Sequence, residues 1–72
     1  MSEDERKRLA ANLQRLRKER GLTQQELADL AGLEQKQISR IERGEISPVV
    51  DTVARIARAL GVDLADLFAR PS

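Results

Sequence analysis

Apolar residues recur at intervals of three and four along most of the chain, which is the spacing of one face of an α-helix. The residues with this spacing are Leu9, Leu13 and Leu16; Leu27, Leu30 and Ala31; Ile38 and Ile41; Val49, Val53, Ile56, Ala57 and Leu60; and Leu64, Leu67 and Phe68. No segment alternates apolar and polar residues over a useful length, so no strand is predicted. The pattern predicts an all-α protein whose stripes form one core.

Glycines and capping residues divide this pattern into segments. Three of the four glycines precede an aliphatic residue, which is typical of a helix end where Gly adopts the left-handed conformation. Thr23 with Glu26 matches a capping box at a helix start, and Ser47-Pro48 indicates another start with Pro at the first helical position. The predicted helices lie at about 2–20, 24–31, 34–43, 48–60 and 63–69. The short connections indicate a compact five-helix bundle, with residues 1–72 as a single domain.

Composition excludes several classes of function. The 72 residues include no His and no Cys, which excludes zinc sites built on these ligands, Ser–His–Asp hydrolases and cysteine proteases. We therefore expect no enzyme, no catalytic residue, no metal and no cofactor. No apolar run approaches the roughly 20 residues of a membrane span, and the acidic N-terminus is not a secretory signal. The expected location is cytoplasmic, with no membrane contact.

The most informative segment is 23–44, TQQELADLAGLEQKQISRIERG. On its second predicted helix, Ile38 and Ile41 face inward. The basic residues lie about half a turn away, at Lys36, Arg40 and Arg43. A B-DNA major groove about 12 Å wide admits one α-helix, and Arg, Lys and Gln match guanine and adenine edges. Spacing and charge alone fit a solvated surface with no partner as well as they fit a DNA-binding face.

The same segment resembles the helix-turn-helix of the lambda-repressor/Cro family, also called the XRE-type family. The resemblance runs from about Leu9 to Phe68 and includes GLTQQELA, AG, ISRIERG and ALGVDLADLF. It implies a lambda-repressor-like DNA-binding domain whose third helix lies in the major groove while the second crosses the backbone. The implied function is a sequence-specific regulator of transcription that binds double-stranded DNA.

The resemblance also implies a role for individual residues. Base contacts are implied for Gln35, Lys36 and Arg40, and DNA backbone contacts for Gln24, Gln37, Ser39 and Arg43. Arg17 and Glu42 are implied to form a scaffold ion pair that does not touch DNA. Glu34 departs from the family pattern, in which Ser, Thr or Asn usually caps the third helix at this position. Its carboxylate repels phosphate, but it could contact a base by accepting a hydrogen bond from cytosine N4.

A module this small makes few base contacts, so we expect a homodimer on a palindromic operator with half-sites roughly 34–36 Å apart. The expected dimer surface is the fifth helix, through Leu64, Leu67 and Phe68, although these residues fit the core of one protomer equally well. No small-molecule effector is expected, because the bundle leaves only Arg70-Pro71-Ser72 beyond it. The alternative function is a protein-interaction adaptor or antitoxin that uses the same fold.

Overall fold

The computed structural model of the protein describes residues 1–70. Within this range it contains helices and connecting turns but no strand. Four α-helices, α1 (Glu3–Glu19), α2 (Gln24–Ala31), α3 (Gln35–Glu42) and α4 (Val50–Leu60), precede a 3-10 helix at Leu64–Phe68. The all-α prediction is confirmed. The prediction of five α-helices is wrong, because Leu64–Phe68, within the predicted fifth helix at 63–69, forms a short 3-10 helix instead.

The 3-10 segment is held by its own hydrogen bonding and by a side chain of α1. The amide of Asp66 donates to the carbonyl oxygen of Asp63 at 3.0 Å, three residues back, which is the tighter 3-10 pattern. The buried Asn12 of α1 donates from Nδ2 to the carbonyl oxygens of Leu67 (3.0 Å) and Ala69 (2.9 Å). The segment is thus fastened to α1 by a side chain, and Leu67 is fully buried there.

Side-chain caps mark where the first two helices begin, whereas α4 begins without one. Ser2 and Thr23 each form a reciprocal capping box with a Glu three residues later, as the sequence predicts for α2. The predicted start of a helix at Ser47-Pro48 is wrong: Val49 remains extended, and α4 begins at Val50 without a side-chain cap. The extended connection carries the chain from α3 to α4, with Ile46 packed against the core on the way.

The core lies where all four helices meet. Its fully or almost fully buried large side chains are Leu9, Leu13, Leu27, Ile38, Ile41, Val53, Ile56 and Leu67. Each such side chain contributes roughly 1.5–3 kcal/mol of burial free energy. Three residues of the predicted stripes, Leu30, Val49 and Leu64, are instead exposed. No helix of residues 1–70 is long and apolar enough to cross a membrane.

The turn between α2 and α3 sets the position of α3. Gly32 has a φ of +69°, in the left-handed region that favours glycine. The next amide, of Leu33, donates to the carbonyl oxygen of Ala28 at 2.8 Å, and the Leu33 side chain packs against the core. Ala28 is itself completely buried. This turn lets α3 pack against α2 and α1 while its opposite face stays in solvent.

Candidate nucleic-acid interface

The outward face of α3 carries exposed cations on a helix that is anchored from behind. Ile38 and Ile41 are completely or almost completely buried, so the helix cannot rotate without losing core contacts. Lys36 and Arg40 are exposed on the other side, rather than packed against the protein. Lys36 forms no ion pair with any residue in the described range 1–70, and Arg40 lies 4.0 Å from Glu45. Both cations are therefore accessible to an anionic partner.

A chain of hydrogen bonds connects the interior to this face. Glu42, which is 5% exposed, accepts from Gln24 Nε2 at 3.0 Å through its Oε1. Gln24 Oε1 in turn accepts from Gln35 Nε2 at 2.6 Å. We call this series, Glu42–Gln24–Gln35, the amide relay. It connects the end of α3 to its first residue through the start of α2.

The chemistry of Glu42 fixes the direction of the amide relay. A carboxylate only accepts hydrogen bonds, so Gln24 must turn its NH₂ group toward Glu42 and its oxygen toward Gln35. Gln35 must then turn its own NH₂ group toward Gln24. This leaves Gln35 with one N–H and its amide oxygen, a donor and an acceptor side by side. Adenine presents the complementary pair in the major groove, N7 and the N6 amino group.

Arg17 and Glu42 form the ion pair that the resemblance implies. Arg17 Nε donates to Glu42 Oε2 at 2.6 Å and Nη2 donates to Oε1 at 3.0 Å, while Nη1 donates to the carbonyl oxygen of Leu22 at 2.8 Å. The hydrogen bond with Glu42 raises the pKa of the Arg17 guanidinium. The side chains are only 12% and 4% exposed, so the pair lies behind the α3 face and ties α1 to α3.

Arg43, at the end of α3, forms a second set of side-chain contacts. Arg43 Nη1 donates to Ser39 Oγ, and its Nε and Nη2 donate to the carboxylate of Glu45. The guanidinium of Arg43 lowers the pKa of Glu45. Sequence reasoning missed Glu45, because a pair two residues apart across a glycine turn belongs to no standard helical spacing.

The remaining predicted site residues lie at the beginning of α3. Glu34 is exposed at the N-cap position and makes no side-chain hydrogen bond to the helix. Gln37 is half-buried, and with Glu34, Lys36, Arg40 and Ile46 it lines a shallow depression of about 270 Å³. Gln24 is committed to the amide relay and keeps one N–H outside it. Contacts of all these residues with DNA stay predictions.

Two helices joined at a left-handed glycine, with the second exposing cations and amides, define a helix-turn-helix protein. The chain belongs to the family described as Helix-turn-helix (HTH_3), whose model matches residues 13–67. This membership confirms the family that the sequence resembles.

Several similar proteins carry regulatory names. The chain is 44% identical over 64 residues to the uncharacterized HTH-type transcriptional regulator y4dJ of Sinorhizobium fredii, covering 89% of this chain and 83% of the relative. It is 34% identical over 59 residues to the HTH-type transcriptional regulator PuuR of Escherichia coli, covering 82% of this chain but only 32% of PuuR.

Solved structures share the fold over almost the whole chain. A hypothetical transcription factor, NHTF from Neisseria, superposes with a TM-score of 0.91 at 33% identity, over 99% of this chain and 83% of the other. The restriction-modification controller protein C.AhdI of Aeromonas hydrophila superposes with a TM-score of 0.85 at 30% identity, over 88% of this chain and 96% of the other.

Proposed function

We propose that this protein is a sequence-specific transcriptional regulator that binds double-stranded DNA with α3 in the major groove. The observation that carries the proposal is the α3 face, on which Lys36 and Arg40 stand exposed beside the oriented amide of Gln35. An α-helix of this kind fits the major groove, and these side chains match base edges. The names of its relatives, regulators rather than enzymes, support the same reading.

In this proposal the base-reading residues differ in what they recognise. Gln35 reads adenine, because the amide relay leaves it one donor and one acceptor. Arg40 places its guanidinium on the O6 and N7 atoms of guanine, the commonest specific contact, and Lys36 donates to a neighbouring acceptor. Glu34 accepts from the N4 amino group of a cytosine. The backbone contacts come from Gln24, Gln37, Ser39 and Arg43, with the free amides at the start of α2 assisting Gln24 at a phosphate.

We also propose that the regulator binds as a homodimer. Of the residues expected at the dimer surface, Leu67 is fully buried in its own protomer and Phe68 packs against the same core, so Leu64 alone is exposed. A larger apolar surface surrounds the start of α4, where Val49 and Val50 are 69% and 72% exposed. These two residues line a depression of about 600 Å³ with Met1 and Phe68.

The size of the protein limits how a second copy can bind. Its Cα dimensions are 27 × 23 × 19 Å, so two touching copies place their α3 helices roughly 34 Å apart only if these helices lie away from the contact. A standard interface of about 800 Å² per partner would take about 18% of the 4408 Å² surface, since 800/4408 ≈ 0.18. We therefore expect a small interface whose dimer assembles mainly on the operator.

Selection from random duplexes, with the number of chains per duplex measured on the winning sequence, tests both proposals. Palindromic winners that bind two chains support the regulator and its dimer. Enrichment of a sequence that binds one chain refutes the proposed dimer and leaves the proposed DNA-binding function standing. No enrichment of any sequence refutes the DNA-binding function and favours the adaptor or antitoxin.

A substitution on α3 tests the docking. Arg40→Ala should lose about 1–3 kcal/mol of binding free energy on the winning duplex and relax the preference at one base pair. Arg58→Ala is the matched control, because Arg58 is an exposed arginine on α4, outside the proposed interface. It should bind within about twofold of the parent protein. Equal affinity of the Arg40→Ala variant and the parent would show that α3 does not enter the groove in this way.

A further inference from the structure

One carboxylate lies against two of the three cations on the α3 face. Glu45 follows the Gly44 turn, and both of its oxygens accept hydrogen bonds from Arg43, at Nε and Nη2. The Oε1 atom also lies 4.0 Å from Nε of Arg40. All three side chains are about half exposed, and the proposed function assigns the two arginines to DNA contacts.

We propose that Glu45 is a specificity-determining residue, an internal anion that pairs with Arg43 where a DNA phosphate would otherwise bind. The inference rests on the proposed function. In the free protein the carboxylate satisfies Arg43 and partly neutralises Arg40. A duplex of arbitrary sequence offers these arginines only phosphates, and each phosphate must compete with an anion that is already in place.

The net charge of the α3 face depends strongly on Glu45. The exposed charged residues of α3 and its two flanks are Glu34, Lys36, Arg40, Arg43 and Glu45, three positive and two negative, while Glu42 is neutralised by Arg17 behind them. The net charge of this face is therefore 3 − 2 = +1, and it becomes +2 without Glu45. Since non-specific affinity follows the number of neutralised phosphates, one carboxylate controls a large part of it.

The arrangement penalises random DNA more than the operator. Glu45 approaches Arg40 on the Nε side, which leaves both Nη groups available for the paired acceptors of guanine. Base contacts on the operator can therefore form while Glu45 stays beside the guanidinium. On a random duplex the same arginine gains only a phosphate contact, which the nearby carboxylate opposes. Glu45 should thus lower non-specific affinity while largely sparing specific affinity.

The experiment compares Glu45→Gln, which removes the charge at nearly constant shape, with Asp51→Asn as a matched control. Asp51 is exposed on α4 and pairs with Arg55 at 3.1 Å, so the control also removes one paired negative charge from the surface. Dissociation constants are measured on a random-sequence duplex and on the selected operator, at salt concentrations between about 50 and 200 mM. Circular dichroism checks that both variants keep their helix content.

An exposed ion pair is worth up to about fivefold in an equilibrium constant, and Glu45 takes part in two of them. We expect Glu45→Gln to bind the random duplex about three- to tenfold more tightly, with a salt slope steeper by about one. Its affinity for the operator should change less, so the specificity ratio falls. The Asp51→Asn control should stay within about twofold of the parent on both duplexes.

The outcomes separate this inference from the proposed function. If the parent protein selects an operator but Glu45→Gln binds random DNA no more tightly, the inference is wrong and the function stands. If no operator is selected, yet Glu45→Gln gains affinity for the random duplex, Glu45 only weakens non-specific binding, and both its specificity role and sequence-specific regulation are refuted. An equal gain for Asp51→Asn overturns the inference, because net charge alone would explain it. If neither the parent nor the variant binds any duplex, both proposals fail.

Discussion

The buried ion pair between α1 and α3 offers a direct test of what holds the α3 face in place. Glu42→Gln keeps the shape of the side chain and removes its charge. The carboxylate accepts three hydrogen bonds, two from Arg17 and one from Gln24, whereas the new amide has one oxygen and an NH₂ group that cannot accept. Arg17, only 12% exposed, would keep its charge without a counter-ion. The variant should therefore be less stable than the parent protein.

The size of the loss follows from how far the pair is buried. Removing one partner of a buried pair costs about 3–5 kcal/mol, because the remaining charge is left uncompensated. Arg17 retains its bond to the carbonyl oxygen of Leu22 and part of its solvation, so we expect about 2–3 kcal/mol. A chain of 72 residues has a free energy of unfolding of about 4–11 kcal/mol in total. The substitution therefore removes a large part of the stability and lowers Tm by roughly 8–24 °C.

Urea unfolding followed by far-UV circular dichroism measures this loss, since the chain has no Trp or Tyr for fluorescence. Glu19→Gln, which breaks an exposed pair with Arg15, is the control and should cost less than about 1 kcal/mol. Arg17→Met combined with Glu42→Gln should cost at least about 2 kcal/mol less than the sum of the single losses. A loss below about 1 kcal/mol for Glu42→Gln, or additive single losses, would refute a buried and coupled pair.

Two further substitutions test elements that position the site. Asn12→Ala removes both side-chain hydrogen bonds that fasten the 3-10 helix, so the free energy of unfolding should fall by about 1–3 kcal/mol. Amide hydrogen exchange should become faster only in residues 64–69. Exchange that rises equally in all helices would contradict this role. Glu34→Ser supplies the missing side-chain cap of α3 and should raise the free energy of unfolding by about 0.5–1 kcal/mol, measured by urea titration. An unchanged free energy of unfolding would show that the hydroxyl does not reach the α3 amides.

Local hydrogen bonding explains which parts of the fold could be predicted from the sequence. The capping box of Thr23 and Glu26 and the left-handed Gly32 depend on residues within three or four positions, and they define α2 as the sequence predicts. The start of α4 at Val50 and the 3-10 helix could not be predicted in this way. Asn12 fixes the 3-10 helix from 55 residues away, and no local pattern records such a contact.

The candidate site, too, could be predicted from the sequence only in part. The exposed positions of Lys36 and Arg40 follow from helical periodicity, because Ile38 and Ile41 must face the core. The pairing of Gln24 with Gln35 joins residues 11 apart on two helices, so only the packed turn brings them together. Sequence reasoning identified both glutamines but not their mutual orientation, which Glu42 imposes from the interior.

Under the proposed function, the amide relay links one buried carboxylate to both stability and base preference. In Glu42→Gln, a single oxygen replaces two: Arg17 Nε contacts Oε2, whereas Arg17 Nη2 and Gln24 Nε2 both contact Oε1. When the amide oxygen takes the Oε2 position, its NH₂ group faces Gln24. Gln24 then reverses, and so does Gln35, which accepts from Gln24 and presents two N–H donors outward. Two donors match the O6 and N7 acceptors of guanine instead of adenine. Selection with the folded variant should thus replace adenine by guanine at one position per half-site, and an unchanged preference there would show that the substitution does not reverse Gln35.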